Sequence, residues 1–251
     1  MTKKGICKFC GKEKGLIGAH IIPQNFYINR KEKGYRSLDI TDGSWQQWQA
    51  GLKDYNILCT DCDNETLGKF DNEAYRVLFT EIYKHKEPQD EPKGFLYHLT
   101  KDDYDYTLLR KFFISILWRA SISKMRDFSI IDLGPYEKFA LEILQDKKEH
   151  KDLFKILIFK MKDEKSLSEF VYINSYKEYQ TTVYDICMAG YNIIIFVKNP
   201  RLSQKDNELI NKISLNKEEL YIAETEDVTT QNINNLTNLI KCWEYNKNKG
   251  K

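Results

Sequence analysis

Two pairs of cysteines, each spaced C-x-x-C, are the residues whose types and spacing point most directly to chemistry. Cys7 and Cys10 form the first pair, and Cys59 and Cys62 form the second. Two such knuckles can close on one tetrahedral metal ion and leave no open coordination position. A closed sulfur site is structural, so the sequence predicts one structural Zn²⁺ that joins the two ends of the segment between the pairs.

A histidine lies between the two pairs, and acidic and amide residues follow the second pair. His20 stands in the string Ala-His-Ile-Ile-Pro, and Asp63 and Asn64 come directly after the last cysteine. We expect the zinc clamp to bring His20 towards Asp63. A neutral imidazole can take a proton from water that attacks a phosphodiester. A Mg²⁺ or Mn²⁺ ion on Asp63 can stabilise charge on the departing oxygen.

Charge is distributed unevenly around these residues, although the net charge of the chain is only +2. Lysine and arginine dominate residues 3–53, whereas aspartate and glutamate crowd residues 54–73 around the second pair. A basic flank beside carboxylates suits a phosphate backbone bound next to a divalent metal. A solvated surface with patchy charge explains the same pattern.

Length and composition indicate a globular chain outside the membrane. The 251 residues can form one or two domains, and 41% of them are hydrophobic. No apolar run is long enough to span a bilayer, and the N-terminus lacks the apolar stretch of a signal peptide. We therefore expect a cytoplasmic protein that has no membrane partner. Thiols stay reduced in the cytoplasm, which favours a metal site over disulfides.

The elements that must position these residues can be predicted from hydrophobic periodicity. A strand is expected over residues 15–22, an irregular polar loop over 28–53 and a short strand over 56–59. A helix should begin at Asp63, whose carboxylate suits the first turn, and end before Pro88. Residues 87–94 have the composition of a linker, so we predict a zinc module over 1–87 and a second domain over 95–251.

The second predicted domain combines helices with a mainly antiparallel sheet. We expect a strongly apolar helix over residues 104–125 and another that begins near Pro135 and ends near Asp146. Strands are expected over residues 154–161, 169–173, 181–188, 192–197 and, at an edge, 219–223, with a final helix over 227–245. Helices followed by strands predict an α+β fold. The basic residues on the first helix, among them Arg110, Lys111 and Arg119, are expected at the surface.

The cysteine and histidine strings together resemble a known family. C-x-x-C, Ala-His-Ile-Ile-Pro and Ile-Leu-Cys-x-x-Cys-Asp, over about residues 5–85, resemble the HNH nucleases of the His-Me finger (ββα-metal) superfamily and are similar to bacterial HNH-like proteins. The resemblance implies an N-terminal treble-clef/ββα-metal zinc module and a metal-dependent endonuclease that hydrolyses phosphodiester bonds in DNA. It also suggests a role in restriction or phage defence, with a partner ATPase or sensor protein.

The resemblance assigns roles to residues on the first side of the module. His20 matches the histidine that serves as general base. Asp54 stands where the family has a central asparagine that orients this histidine, and Asn56 lies close enough in sequence to substitute for it.

The resemblance also indicates where a catalytic metal would bind. Asp63 stands where the family has a histidine or asparagine that holds the metal, and aspartate is a good ligand for Mg²⁺. Ala19 stands where many members carry a further ligand, so another ligand is needed. Asn64 and Asp71 are seven positions apart and share a helix face, which makes Asp71 the candidate. An ordinary exposed carboxylate is the alternative for Asp71.

Two other functions remain open from the sequence. The module can be a non-catalytic zinc finger that binds nucleic acid or a protein as a subunit of a larger complex. It can also anchor a structural or toxin-like protein. The second domain is expected to bind DNA, bind a partner or form a homo-oligomer, and the sequence does not choose among these.

Overall fold

The computed structural model describes residues 3–27, 35–39, 44–48, 51–87, 96–162 and 170–225. Within these ranges the chain is a mixed α+β protein with four α-helices and a mostly antiparallel sheet, which confirms the predicted fold class. None of the described helices combines the length and the apolar character needed to cross a membrane.

Most of the described strands belong to one large sheet. In chain order the strands are β1 (Lys3–Ile6), β2 (Glu13–Leu16), β3 (Ala19–His20), β4 (Tyr35–Asp39), β5 (Ser44–Trp48), β6 (Lys53–Asp54), β7 (Lys86–Glu87), β8 (Leu96–Thr100), β9 (Leu153–Met161), β10 (Phe170–Glu178), β11 (Thr181–Met188), β12 (Tyr191–Lys198) and β13 (Glu219–Thr225). The nine-stranded sheet has the order β5-β4-β10-β11-β12-β9-β13-β8-β7.

Strand pairing in this sheet departs from the prediction at one strand. Only the pairs β4–β10 and β9–β13 are parallel among the described strands. β13 lies between β9 and β8, so its predicted position at an edge was wrong. Ile222 and Ala223 of β13 point to opposite faces and are both fully buried, which agrees with an interior strand that packs on both faces.

The four α-helices are α1 (Gly68–Arg76), α2 (Tyr106–Ile122), α3 (Tyr136–Leu144) and α4 (Gln204–Ile213). α1 is the middle of a longer helical segment, residues 61–84, which we call the cysteine helix. It starts with a π-helical stretch at Asp61–Leu67 and continues after α1 as a second π-helical stretch and a 3-10 turn. Helices were predicted at the cysteine helix, α2 and α3, with ends within a few residues of those observed.

The large sheet is apolar on both faces because helices cover both. Ile193 and Ile195 of β12 belong to the main core, which includes α2. Ile194 and Phe196 belong to a second core, which includes Ile213 of α4. The near-continuous apolar run of β12 follows from this burial on both faces.

The two predicted domains share the main core. Phe9, from the first cysteine knuckle, meets Trp118 of α2 edge to face, with ring centroids 5.8 Å apart. Phe26 stacks on Phe112 of α2 with centroids 4.8 Å apart. Residues 88–94 of the predicted linker and the predicted final helix at 227–245 lie outside the described residues. The division into two domains therefore stays a prediction.

Several elements differ from the sequence-based expectation. The region 28–53, predicted as irregular, contributes β4, β5 and β6. The strand expected over 56–59 is reduced to one isolated bridge between Leu16 and Cys59. β8 and α4 were not predicted. A tight two-residue turn joins β11 to β12, with Ala189 and Gly190 both at positive φ, as such a turn requires.

The basic residues of α2 are buried, so their predicted surface position was wrong. Arg110 and Lys111 are each 5% exposed, and Arg119 is 1% exposed. α2 lies between the cysteine helix, α3 and the sheet, and therefore has little solvent-facing surface. These cations must find partners inside the protein, since burying an unpaired charge is strongly unfavourable.

A buried carboxylate in β11 gives the fold a pH-dependent stability. Asp185 accepts a hydrogen bond from the Asn192 side chain of β12. Burial raises the pKa of Asp185 to about 6. Because this is above the unfolded value of about 3.9, the charged form weakens the folded state. The penalty is absent below pH 4 and grows as the pH rises through 6.

We predict that Asp185→Asn raises the free energy of unfolding at neutral pH, because the amide carries no charge to desolvate. The gain over wild type should be greater at pH 8 than at pH 5 by roughly 1 kcal/mol. Urea unfolding of both proteins across this range measures the difference, and contributions shared by both proteins cancel. A gain that does not vary with pH would contradict the assignment.

Candidate metal centre and the polar site beside it

The first cysteine pair lies in the turn that joins β1 to β2. These strands form a hairpin with Ile6 opposite Glu13. The Gly11 amide donates to the Cys7 carbonyl oxygen at 2.8 Å, and Gly11 has a φ of 70°. Glycine adopts this left-handed conformation without steric cost, so Gly11 lets the chain turn back directly after Cys10.

The second cysteine pair opens the cysteine helix. The Asp63 amide donates to the Cys59 carbonyl oxygen at 3.0 Å, which makes the second knuckle a helical turn. The Lys8 amide donates to the Ile57 carbonyl at 2.8 Å, and the Ile17 amide donates to the Leu58 carbonyl at 3.0 Å. These backbone bonds fasten the two knuckles side by side.

The four thiols come together as predicted. The sulfur atoms of Cys7, Cys10, Cys59 and Cys62 all lie within 4.8 Å of one another. Sulfurs around a tetrahedral Zn²⁺ with bonds of about 2.3 Å are about 3.8 Å apart, which this spacing accommodates. The four cysteines are unoxidised, and Cys10 is the only one that is not fully buried. The cluster can therefore hold a metal ion such as Zn²⁺.

Because the thiols of this cluster are largely buried, a bound metal ion would stabilise them in their charged form. Burial and the neighbouring thiols raise the pKa of Cys62 well above its ordinary value. A thiol must lose its proton to bind a metal, and the charge of the ion stabilises the resulting thiolate. Binding energy at such a site is therefore also folding energy for the elements that carry the ligands.

We predict that wild type binds one Zn²⁺ and that Cys59→Ser loses it, because a serine hydroxyl cannot replace the thiolate. The variant should unfold at lower temperature by well over 5 °C, since the ion contributes to folding. Metal analysis and thermal unfolding measure both effects. Cys187→Ser is the matched control, because Cys187 is buried in β11 outside the cluster. Equal zinc content in Cys59→Ser and wild type would contradict the prediction.

The predicted catalytic histidine lies on a short two-stranded ribbon beside the cluster. β3 and β6 are antiparallel, with Ala19 opposite Asp54 and His20 opposite Lys53. The Ile21 amide extends the ribbon by donating to the Leu52 carbonyl oxygen at 3.1 Å. The ribbon is followed along the chain by the second cysteine pair and the cysteine helix, so the local order is strand, strand, helix.

Arg119 of α2 joins this ribbon to the cysteine helix. Its Nη1 donates to the His20 carbonyl oxygen at 2.9 Å, and its Nη2 donates to Asp71 Oδ1 at 3.3 Å. Further bonds go to Ser115, one turn earlier in α2. Arg119 was not among the predicted site residues. Its place in the middle of an apolar helix face could have indicated a buried charge that needs partners.

Asp54 fastens the other strand of the ribbon to the end of α2. It is 4% exposed, and its Oδ2 accepts from the Ser123 hydroxyl at 2.8 Å. Its Oδ1 accepts from the Asn56 amide nitrogen at 2.8 Å and the Asn56 side chain at 3.3 Å. The described contacts of Asp54 are structural, and they hold the strand opposite Ala19 and His20. The exposed Asn56 supports Asp54 in this turn.

The two predicted metal-binding carboxylates lie near Arg119. Burial raises the pKa of Asp63, and the positive charge of Arg119 opposes this shift. Burial raises the pKa of Asp71 to about 6, against the charge and hydrogen bond of Arg119, while the charge of Asp63 adds to the rise. Asp71 is therefore a partly buried partner of Arg119 rather than an ordinary exposed carboxylate. Asn64 is exposed.

The imidazole of His20 packs against Gly51, next to the ring of Tyr27. The Nε2 atom of His20 is buried. A β-carbon placed on Gly51 would lie 2.7 Å from His20 Cδ2 and 2.6 Å from Tyr27 Cε2, closer than real contacts allow. Burial raises the pKa of Tyr27, so its hydroxyl stays protonated beside the imidazole. A side chain at position 51 would displace the histidine ring.

The predicted site residues do not form a compact ligand set in this conformation. Among the described residues, His20, Asp63 and Asp71 do not bring three ligand atoms within 4.8 Å of one another. All three residues nevertheless interact with Arg119. The His20 carbonyl oxygen accepts a hydrogen bond from it, Asp71 forms an ion pair with it, and Asp63 interacts with its charge.

We predict that Gly51→Ala lowers the free energy of unfolding by roughly 1–3 kcal/mol, as expected when a methyl group is forced into packed surroundings. It should also shift the His20 ring resonances in NMR spectra, because the methyl group displaces the ring. Gly68→Ala is the matched control, since its added carbon meets only the Asp63 carbonyl at 3.7 Å and alanine favours the helix. Unchanged His20 resonances in Gly51→Ala would contradict the prediction.

A second cluster of possible ligands, outside the cysteine site, is an ion-pair network. Glu81, His85 and Asp103 also bring their ligand atoms within 4.8 Å of one another. Arg76 and Lys84 already contact the Glu81 carboxylate, at 3.3 and 3.0 Å. These two cations oppose a metal ion at the same place, so we interpret the cluster as a fastening between the cysteine helix and the segment before α2.

Comparisons of the chain with protein-family models, with curated proteins and with solved structures return no match. The assignment of function therefore rests on the residues and geometry described above.

Proposed function

We propose that this protein is a metal-dependent endonuclease of the HNH type that hydrolyses phosphodiester bonds in DNA, with a structural zinc at the four cysteines. The proposal rests mainly on one observation. A strand–strand–helix unit holds His20 on its ribbon and Asp63 in the first turn of its helix, with the cysteine cluster joining the two. This order agrees with the ββα-metal module that the sequence resembles.

His20 is the proposed general base. Its carbonyl oxygen is bound by Arg119, and the opposite strand is held by Asp54, so the backbone that carries the imidazole is fixed from both sides. A neutral imidazole can accept a proton from water attacking phosphorus. In this role Arg119 and Asp54 are positioning residues, because they act through the backbone of His20.

Asp63 and Asp71 are the proposed ligands of a divalent cation, Mg²⁺ or Mn²⁺. Their carboxylate oxygens are the donor type that these hard cations prefer. Asp71 uses Oδ1 for Arg119, which is compatible with binding through its other oxygen. A divalent cation there supplies stabilisation of charge on the phosphate and the departing oxygen. Arg119 lowers the negative charge of this pair, so tight binding of the cation should require the DNA phosphate as an additional ligand.

We predict that wild type nicks plasmid DNA with Mg²⁺ or Mn²⁺ and not with EDTA, and that His20→Ala lowers the rate by about 10²–10⁴-fold, the usual contribution of a general base. Zinc content should be unchanged, because His20 lies outside the cysteine cluster. Gel assays of plasmid cleavage, with zinc measured on the same samples, provide the test.

His85→Ala is the matched control, because His85 lies directly after the cysteine helix, in the ion-pair network, and has no proposed part in the reaction. It should cut at nearly the wild-type rate. His20→Ala cutting as fast as wild type, with equal zinc, would contradict the role of His20. Asp63→Ala should also lose activity, because alanine offers no oxygen to the proposed cation.

A non-catalytic module that binds nucleic acid or a protein is the second candidate, favoured by the buried Nε2 atom of His20. A module of this kind would bind DNA without cutting it. Its binding would survive His20→Ala and weaken when an exposed basic residue such as Lys12 is reversed to glutamate. Cleavage by wild type that is lost in His20→Ala decides in favour of the nuclease. A partner ATPase or sensor protein is compatible with either candidate, whereas a DNA substrate belongs to the nuclease alone.

A further inference from the structure

A cavity of about 260 Å³ opens where the first half of α2 meets the segment between α3 and β9. Its volume is near the lower end for ligand sites, which run from about 300 to 1,000 Å³, so it suits a small molecule. Four basic residues line it, together with the hydroxyl-bearing Tyr106 and Thr107. The basic residues are Arg110, Lys111, Lys148 and Lys217.

The deepest cation of this cavity has no carboxylate partner among the described residues. Arg110 is 5% exposed, and its guanidinium donates to the carbonyl oxygens of Glu149, His150 and Leu153 at 2.9–3.1 Å. These acceptors are neutral, and the charge of Glu149 acts on the guanidinium without forming an ion pair, so the buried positive charge is only partly compensated. An anion in the cavity would compensate it.

The second buried cation is held by a carboxylate that an incoming anion can replace. Lys111 Nζ lies 2.5 Å from Asp146 Oδ1, and the Asp146 side chain is 76% exposed at the rim. Glu149, also on the rim, pairs with Lys217 at 3.3 Å. Both acidic residues can turn towards solvent, whereas Arg110 and Lys111 cannot. The lining side chains that cannot turn away, Arg110 and Lys111, are therefore both positively charged.

We propose that this cavity binds a small phosphorylated molecule, with its phosphate groups on Lys111, Lys148 and Lys217 and its charge compensating Arg110. Lysine and arginine are the usual partners of phosphate oxygens in proteins. The Lys217 Nζ atom already lies 5.7 Å from the Tyr106 ring centroid, over the ring, so its charge is directed to the cavity mouth.

This site is separate from the proposed catalytic residues. Arg110 and Arg119 are nine positions apart on α2, which places them about 14 Å apart along the axis and on opposite sides of the helix. Arg119 contacts the His20 ribbon, and Arg110 contacts the segment before β9. The inference therefore does not depend on nuclease activity, and a rigid helix connects the two sites.

Titration calorimetry of the zinc-loaded full chain with pyrophosphate, at one fixed low salt concentration, tests the proposal. Wild type should bind one pyrophosphate saturably. The double variant Lys148→Glu/Lys217→Glu should bind about tenfold or more weakly, because two attractive charges become repulsive. Asp146→Asn should bind several-fold more tightly, since it removes the carboxylate that competes for Lys111. Asparagine tolerates the left-handed backbone of position 146, where φ is 57°.

The matched control is Lys138→Glu/Lys205→Glu, which makes the same change in net charge with two exposed lysines outside the cavity. It should change pyrophosphate affinity less than about twofold. Equal weakening by both double variants, or no saturable binding by wild type, would overturn the proposal.

A short DNA duplex is titrated in parallel. Loss of duplex binding in the cavity variant, without pyrophosphate binding by wild type, would make the cavity a nucleic-acid contact and overturn the small-molecule assignment.

Discussion

The meeting of four cysteines from two distant parts of the chain is the constraint on which the N-terminal architecture depends. A metal ion bound by these four cysteines would fix the turn after β1 against the start of the cysteine helix. The chain between them must then return to its starting point, and it does so through the ribbon of β3 and β6. His20 and Asp63 both interact with Arg119 across this closure, although no continuous element joins them.

A second constraint comes from α2, whose buried charges join the parts of the protein. Arg119 binds the His20 carbonyl and Asp71, and Ser123 at the end of the helix binds Asp54. A buried cation without partners is strongly unfavourable, so this network restricts how the cysteine module can sit on the rest of the fold. The same helix carries Arg110 into the cavity on its other side. One helix thus organises both proposed sites.

The sequence predicted the parts of this structure that local chemistry determines. The cysteine spacing led to the cluster, and hydrophobic periodicity led to the cysteine helix, α2 and five strands of the sheet. It did not place β13 inside the sheet, because strand order is a matter of long-range packing. It also missed α4, although Ser203 caps that helix by accepting from the Asp206 amide, a recognisable start signal.

Arg119 looked like a surface residue because only the tertiary fold shows which side of α2 is covered. The contacts of Asp71 and Asp54 were hidden for the same reason.

Zinc K-edge X-ray absorption of the purified full chain tests the central claim most directly, because it counts the atoms bound to the metal. The account predicts four sulfur ligands at about 2.3 Å and no lighter ligand in the first shell. A shell that contains nitrogen or oxygen, or a preparation that folds fully without zinc, would contradict it. Either result would remove the clamp that brings His20 towards Asp63.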